Sequence, residues 1–139
     1  MLYLCGMKLT THTTDLTMDQ SYRLVNLTVE WCKKFFTPPQ IKRRKQLIVM
    51  VHNSPDYRVY GEFCQNNNWL TINLGVCHDV RDIIKTTIHE YTHHCQRLDD
   101  YAVMSKKVGY ANNPYEVEAV NNEEQYYKNC WRSIKAELL

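Results

Sequence analysis

The sequence predicts an α+β domain, and three observations carry that prediction. The chain has 139 residues, 44 % of them apolar and 23 % charged, with four Gly and four Pro, which fits one globular domain over 1–139 with a real hydrophobic core. Apolar residues recur at helical spacing in three stretches, 17–36, 79–98 and 116–138. Between the first two lie three short runs of strand character, 47–51, 57–64 and 69–74. Helices kept apart from a block of short strands imply a small, twisted, mostly antiparallel sheet packed on an N-terminal, a central and a C-terminal helix.

Residues 1–15 combine a short apolar start with a Thr-rich stretch containing His12 and Asp15, and read as a strand or a loose N-terminal arm. Thr17 followed three positions later by Gln20 matches a capping box. Val25, Val29, Cys32 and Phe36 then recur with Leu24, Leu27, Trp31 and Phe35 at the spacing of an amphipathic helix, which Pro38 and Pro39 end. A basic run from Lys42 to Lys45, read as a solvated face, leads into the apolar strand 47–51. Asn53, Ser54 and Pro55 form a turn. The runs 57–64 and 69–74 flank a polar tip, Asn66, Asn67 and Asn68, and so read as a hairpin. From Asp79 the period changes, and Ile83, Ile84, Thr87, Ile88, Tyr91, Cys95 and Leu98 define one side of a helix. A polar linker, 99–113, precedes Pro114, which suits the first turn of the last helix.

Charge and cysteine usage exclude several classes of function. Seventeen Lys and Arg against fifteen Asp and Glu leave a formal charge of +2, too small a bias to mark nucleic acid or an anionic membrane as partner. No apolar run approaches the roughly 20 residues that span a bilayer, and residues 1–5 are too short for a signal-peptide core, so the expectation is a soluble, intracellular chain. Six cysteines are scattered with no CxxC pair, which argues against a zinc knuckle and for reduced thiols at small apolar positions. The sequon at Asn26 falls inside the predicted first helix and carries no weight.

Histidine is concentrated instead. Residues 88–96 read IHEYTHHCQ, with the pattern HExxH at His89, Glu90 and His93. Two histidines four apart project from one helix face a turn apart, so both imidazoles reach a single divalent ion, and Glu90 flanks the same place. Zinc there would acidify its water to a pKa of about 7, with Glu90 as general base. His94, turned about 100° from His93, reads as a surface or supporting residue rather than a ligand. His52 and His78 have no partners at ligand spacing. A third ligand is needed, and the segment YANNPYEVEAVN at 110–121 offers Glu116 and Glu118. Standing two apart, they point about 200° apart on a helix, so only one faces the site. The run 69–74 could serve as an edge strand that takes an extended peptide by strand addition.

HEYTHHCQ followed at this distance by NPYEVEA resembles the zincin metallopeptidases of gluzincin type, in particular their minimal single-domain members, over residues 69–121. The resemblance implies a zincin-like fold and hydrolysis of a peptide or protein substrate. It implies one Zn2+ per chain, held by His89, His93 and Glu116, the last within an E-x-x-A segment completed by Ala119. Glu118 is the competing ligand. Related segments continue with an Asp that supports a ligand histidine. Val120 stands in that place here, leaving Glu118, Asn121 or Asp99 to supply the support. Tyr110, Tyr115 and His94 are candidates for stabilising the oxyanion, and the N-terminal arm could lie in the cleft. The competing reading is a zinc-binding or protein-interaction module without catalysis, although a closed structural site needs four protein ligands and no general base.

Overall fold

The computed structural model describes residues 6–36 and 46–138; the predicted Pro38–Pro39 stop, the Lys42–Lys45 run and residues 1–5 lie outside them. Helix α1, Met18–Phe35, starts where the capping box places it. The Thr17 hydroxyl accepts from the Gln20 amide at 3.0 Å, and the Gln20 side chain accepts from the Thr17 amide at 2.8 Å. Three strands follow: β1, Ile48–His52; β2, Gly61–Cys64; and β3, Trp69–Asn73. Helix α2, Val80–Cys95, carries the HExxH residues, and its N-cap Asp79 accepts from the Asp82 amide. The linker expected at 99–113 holds a short helix, α3, Tyr101–Val108, before α4, Pro114–Ile134. A 3-10 turn, Lys135–Leu138, completes the last predicted helix. No helix among the described residues is long and apolar enough to cross a membrane.

The α+β class stands, with two corrections to its details. The sheet order is β1-β3-β2, with β1 parallel and β2 antiparallel to β3, so the sheet is mixed rather than mostly antiparallel. Residues 53–60 are the reason, because they carry the chain from the end of β1 back to the start of β2 and leave the centre for β3. Trp69–Asn73 is therefore the central strand and not an edge. Edge β2 takes its place beside the HExxH helix. The second correction concerns α1, whose principal contacts are with α2 and α4, whereas the sheet rests on α2 through β2 and β3.

Helix α2 is thus the element on which the rest packs. Ile83, Ile84 and Ile88 are fully buried against Leu24 and Val25 of α1, Leu70 and Ile72 of β3, and Ile134 of α4 in one continuous core. Cys32, Cys77 and Cys130 occupy small apolar positions in this core, and burial pushes the Cys77 and Cys130 thiols up to about 12. The N-terminal stretch is tied down where it is described. Thr13 donates its amide to His78 O at 2.9 Å, and the amides of Val80 and Arg81 donate to Thr11 O and Leu9 O at 3.0 Å. It runs over the start of α2, away from the HExxH turn. The hairpin closes through Asn68 in the left-handed region, φ 57, which Asn tolerates better than most residues.

Two residues hold the sheet edge in place. Asn73, buried at the end of β3, accepts from the amides of Ser54 and Gly75 and donates to the carbonyls of Ser54, Tyr57 and Val59, all at 2.8–3.1 Å. This one side chain ties down the loop between β1 and β2. Gly61 lets β2 approach α2: a Cβ there would lie 2.7 Å from Thr86 Cγ2 and 3.0 Å from both Glu90 Cγ and Thr71 O. Replacing it forces strand and helix apart, so Gly61→Ala should lower stability by about 1–3 kcal/mol. A urea midpoint equal to the wild type would show that the approach is not tight.

Candidate metal centre

The cleft face of α2 follows from helical spacing. Thr86, His89, Glu90 and His93 fall on adjacent positions of two turns, with His89 and His93 turned toward α4 and Thr86 and Glu90 toward β2. Helix α4 begins with Asn113, whose side chain accepts from the Tyr115 amide at 3.0 Å, and Pro114 occupies its first turn. That start sets Glu116 opposite the two histidines. His89 Nε2 lies 2.9 Å from Glu116 Oε1, and His93 Nε2 lies 3.1 Å from Glu116 Oε2.

His89, His93 and Glu116 form the group able to hold a metal ion among the described residues, with ligand atoms all within 4.8 Å of one another. Donors about 2.1 Å from a tetrahedral ion stand about 3.4 Å apart, so small rotations bring these three onto one centre. Two imidazoles and one carboxylate leave a coordination position for water or substrate, the donor set of an open site. Glu118 does not reach this centre. Its carboxylate accepts from Gln96 Nε2 at 2.6 Å instead.

The nitrogens that face away from Glu116 are also held. His89 Nδ1 lies 2.7 Å from Glu123 Oε1, and His93 Nδ1 lies 2.7 Å from Gln96 Oε1. Gln96 is fixed in turn by Tyr115 O at 3.0 Å and by Glu118. Both rings therefore present Nε2 to the centre, and the partners behind them set ring orientation and basicity. Glu118 serves as one of the supporting groups weighed from sequence, acting through Gln96. Asn121 and Asp99 make no contact with the histidines among the interactions described. Glu123 was missed, although its position two turns after Glu116 on the same face of α4 is the signal that could have found it. It stands in for the carboxylate absent at Val120, whose side chain is exposed.

The electrostatics follow from this arrangement. Burial alone would lower the His89 pKa, but the hydrogen bonds its ring donates to Glu116 and Glu123 outweigh it and raise it to about 10. His93 is raised against the same penalty by Glu116 and Glu90. Glu116 opposes its own desolvation through His89, His93 and the Tyr101 hydroxyl, and is held well below the usual carboxylate range. Glu90 differs: burial dominates over the nearby histidines and pushes its carboxyl up to about 7. A carboxyl poised there can both take and return a proton near neutrality.

Around Glu90 the surface is concave. One cavity, of ≈ 480 Å³, lies on the His89 side, and another, of ≈ 410 Å³, on the His93 side. Gly61, Glu90 and Tyr110 line both, so they are two halves of one cleft with β2 as its rim. Of the three oxyanion candidates, Tyr110 alone is at the cleft. Tyr115 turns its hydroxyl to Asp100. His94 is buried, with Nδ1 2.9 Å from Asn68 Oδ1, and locks α2 to the hairpin rather than lying at the surface. His52 is bound to Ser54 at 2.9 Å, and His78 packs edge-on against His12.

Comparison with protein-family models, with curated proteins and with solved structures finds no match to this chain. The geometry predicts an order of effects on metal binding. Glu116→Ala should abolish tight binding, and Glu123→Ala should weaken it about ten- to a hundredfold by releasing His89. Glu118→Ala should weaken it less, because Gln96 keeps its bond to Tyr115 O. Competition against a chromophoric chelator measures all three, and equal affinity in Glu123→Ala would remove Glu123 from the site.

Proposed function

We propose that the chain is a zinc-dependent peptidase of the zincin type, with His89, His93 and Glu116 as metal ligands and Glu90 as general base. The observation that carries this reading is the company kept by the ligands: an open three-ligand set, a buried carboxyl beside it and an edge strand across the cleft from both. A purely structural site has no use for the last two. When bound, zinc supplies Lewis acidity toward a carbonyl oxygen and a water acidified to a pKa of about 7.

The remaining steps belong to the chain. An extended peptide lies along the free edge of β2, where backbone hydrogen bonds fix its register without regard to sequence. Gly61 brings that edge against Glu90, so the scissile bond sits over the buried carboxyl. Glu90 accepts the proton of the attacking water and delivers it to the departing amine. Tyr110, more than half exposed at the cleft mouth, donates its hydroxyl to the developing oxyanion; desolvation and Glu116 hold its pKa up to about 12, so the proton is present at neutral pH.

Two variants test the assignment. Glu90→Gln should keep about one zinc per chain and lose hydrolysis of an unfolded protein such as casein, because the amide cannot accept the proton. Zinc retention with unchanged hydrolysis would sink the role of Glu90. Tyr110→Phe should lower kcat about a hundredfold with little change in KM or zinc content. A change confined to KM would assign Tyr110 to substrate binding instead.

A further inference from the structure

The two halves of the cleft differ in chemistry. On the His89 side the charged groups are Arg58, Asp82, Lys85, Glu90 and Glu123. Most are engaged: Asp82 accepts from the His78 amide at 2.8 Å, Glu123 lies on His89, and Lys85 pairs with Glu124 and, at 4.0 Å, with Glu123. Arg58 makes no ion pair among the described residues. Its backbone is held on both sides, since Asn73 Nδ2 donates to Tyr57 O at 2.8 Å and to Val59 O at 3.1 Å. A guanidinium on an anchored loop, lining a cleft where Asp82 and Glu123 are already engaged and Glu90 is buried, is prepared to bind a carboxylate from outside.

The His93 side has a different wall. Phe63, Leu98, Tyr101 and Tyr110 provide its apolar and aromatic surface. Two of its acids are also engaged, Glu62 by the Tyr57 hydroxyl at 3.0 Å and Glu116 by the two histidines. The ring of Tyr101 stacks on Tyr115 and its hydroxyl donates to Glu116, so this surface is held rigid.

Resting on the peptidase reading, we propose that the cleft selects extended segments with an acidic side chain on the His89 side of the scissile bond and an apolar or aromatic one on the His93 side. Strand addition along β2 provides the register for this selection, because alternate residues of the bound segment turn toward the cleft walls. The substrate class is therefore unfolded or exposed chain that joins an aromatic or aliphatic residue to a nearby Asp or Glu.

The test combines binding and cleavage. Zinc-loaded Glu90→Gln is titrated with fluorescent peptides that place a Phe and, within three positions, a Glu or a Lys, in both chain orders. The Glu peptide of one order should bind about five- to tenfold tighter than its Lys counterpart. Adding Arg58→Glu should reverse that ratio, and Arg58 is exposed, so its replacement leaves the core untouched. Leu98→Lys should weaken the preference for Phe. Cleavage sites of the wild type in a denatured protein, mapped by mass spectrometry, should show the same pairing. Cleavage without this bias, or a bias that survives Arg58→Glu, overturns the proposed selection and leaves the peptidase reading intact. If the wild type cuts no peptide and Glu90→Gln binds none, the peptidase reading falls and the selection falls with it.

Discussion

The carboxylate of Glu116 has one oxygen against each of two imidazoles, and that double contact dictates how α4 must lie along α2. Imidazoles one helical turn apart offer their Nε2 atoms to a small volume, so a single carboxylate serves both only if its own helix passes at that height. The pairing of α2 with α4 is also the most extensive between elements of the fold. Apolar packing supplies most of the free energy of that contact. The polar cluster selects the register among the ways the two helices could pack, since any shift leaves buried charged groups without partners.

A site built this way has to be polar inside an otherwise apolar helix. Helix α2 turns Ile83, Ile84 and Ile88 to the core while Glu90 and His93 are nearly as buried on its other faces. Buried polar groups are costly unless satisfied, and for the two histidines and Glu116 the surroundings meet that demand through named partners. Glu123 and Gln96 stand behind the histidines, Glu118 and Tyr115 O behind Gln96, and Tyr101 beside Glu116. Gln96 reaches His93 because it stands three residues on, at the C-cap of α2, a spacing that makes the two side chains neighbours.

The rim of the cleft depends on similarly few atoms. Gly61 allows β2 to pass against Thr86 and Glu90, and Asn73 secures the loop that delivers β2 to that position. These residues connect the sheet to the proposed chemistry without touching the metal ligands. Under the proposed function, selection among substrates rests on side chains along the rim, which is where Arg58 and the aromatic wall are found.

Local signals in the chain were enough for the three long helices, the hairpin and the HExxH pair on one helix face. Capping at Thr17, the shift of period at Asp79, Pro114 after Asn113 and the HExxH spacing each act over a turn or two, and each is a feature of neighbouring residues. The choice of Glu116 over Glu118 needed the resemblance as well, because two residues of one helix turn are equally near in sequence. Folding settled what depends on residues far apart. Strand order was illegible because β1 pairs with β3 across the whole β2 hairpin arm, which moved the edge from Trp69–Asn73 to Gly61–Cys64. The support of His89 by Glu123 and the burial of His94 against Asn68 arise the same way, from helix and strand faces brought together by a shared core. Spacing along a chain specifies which side chains share a face, whereas which faces meet is decided by the burial of apolar surface over the whole domain.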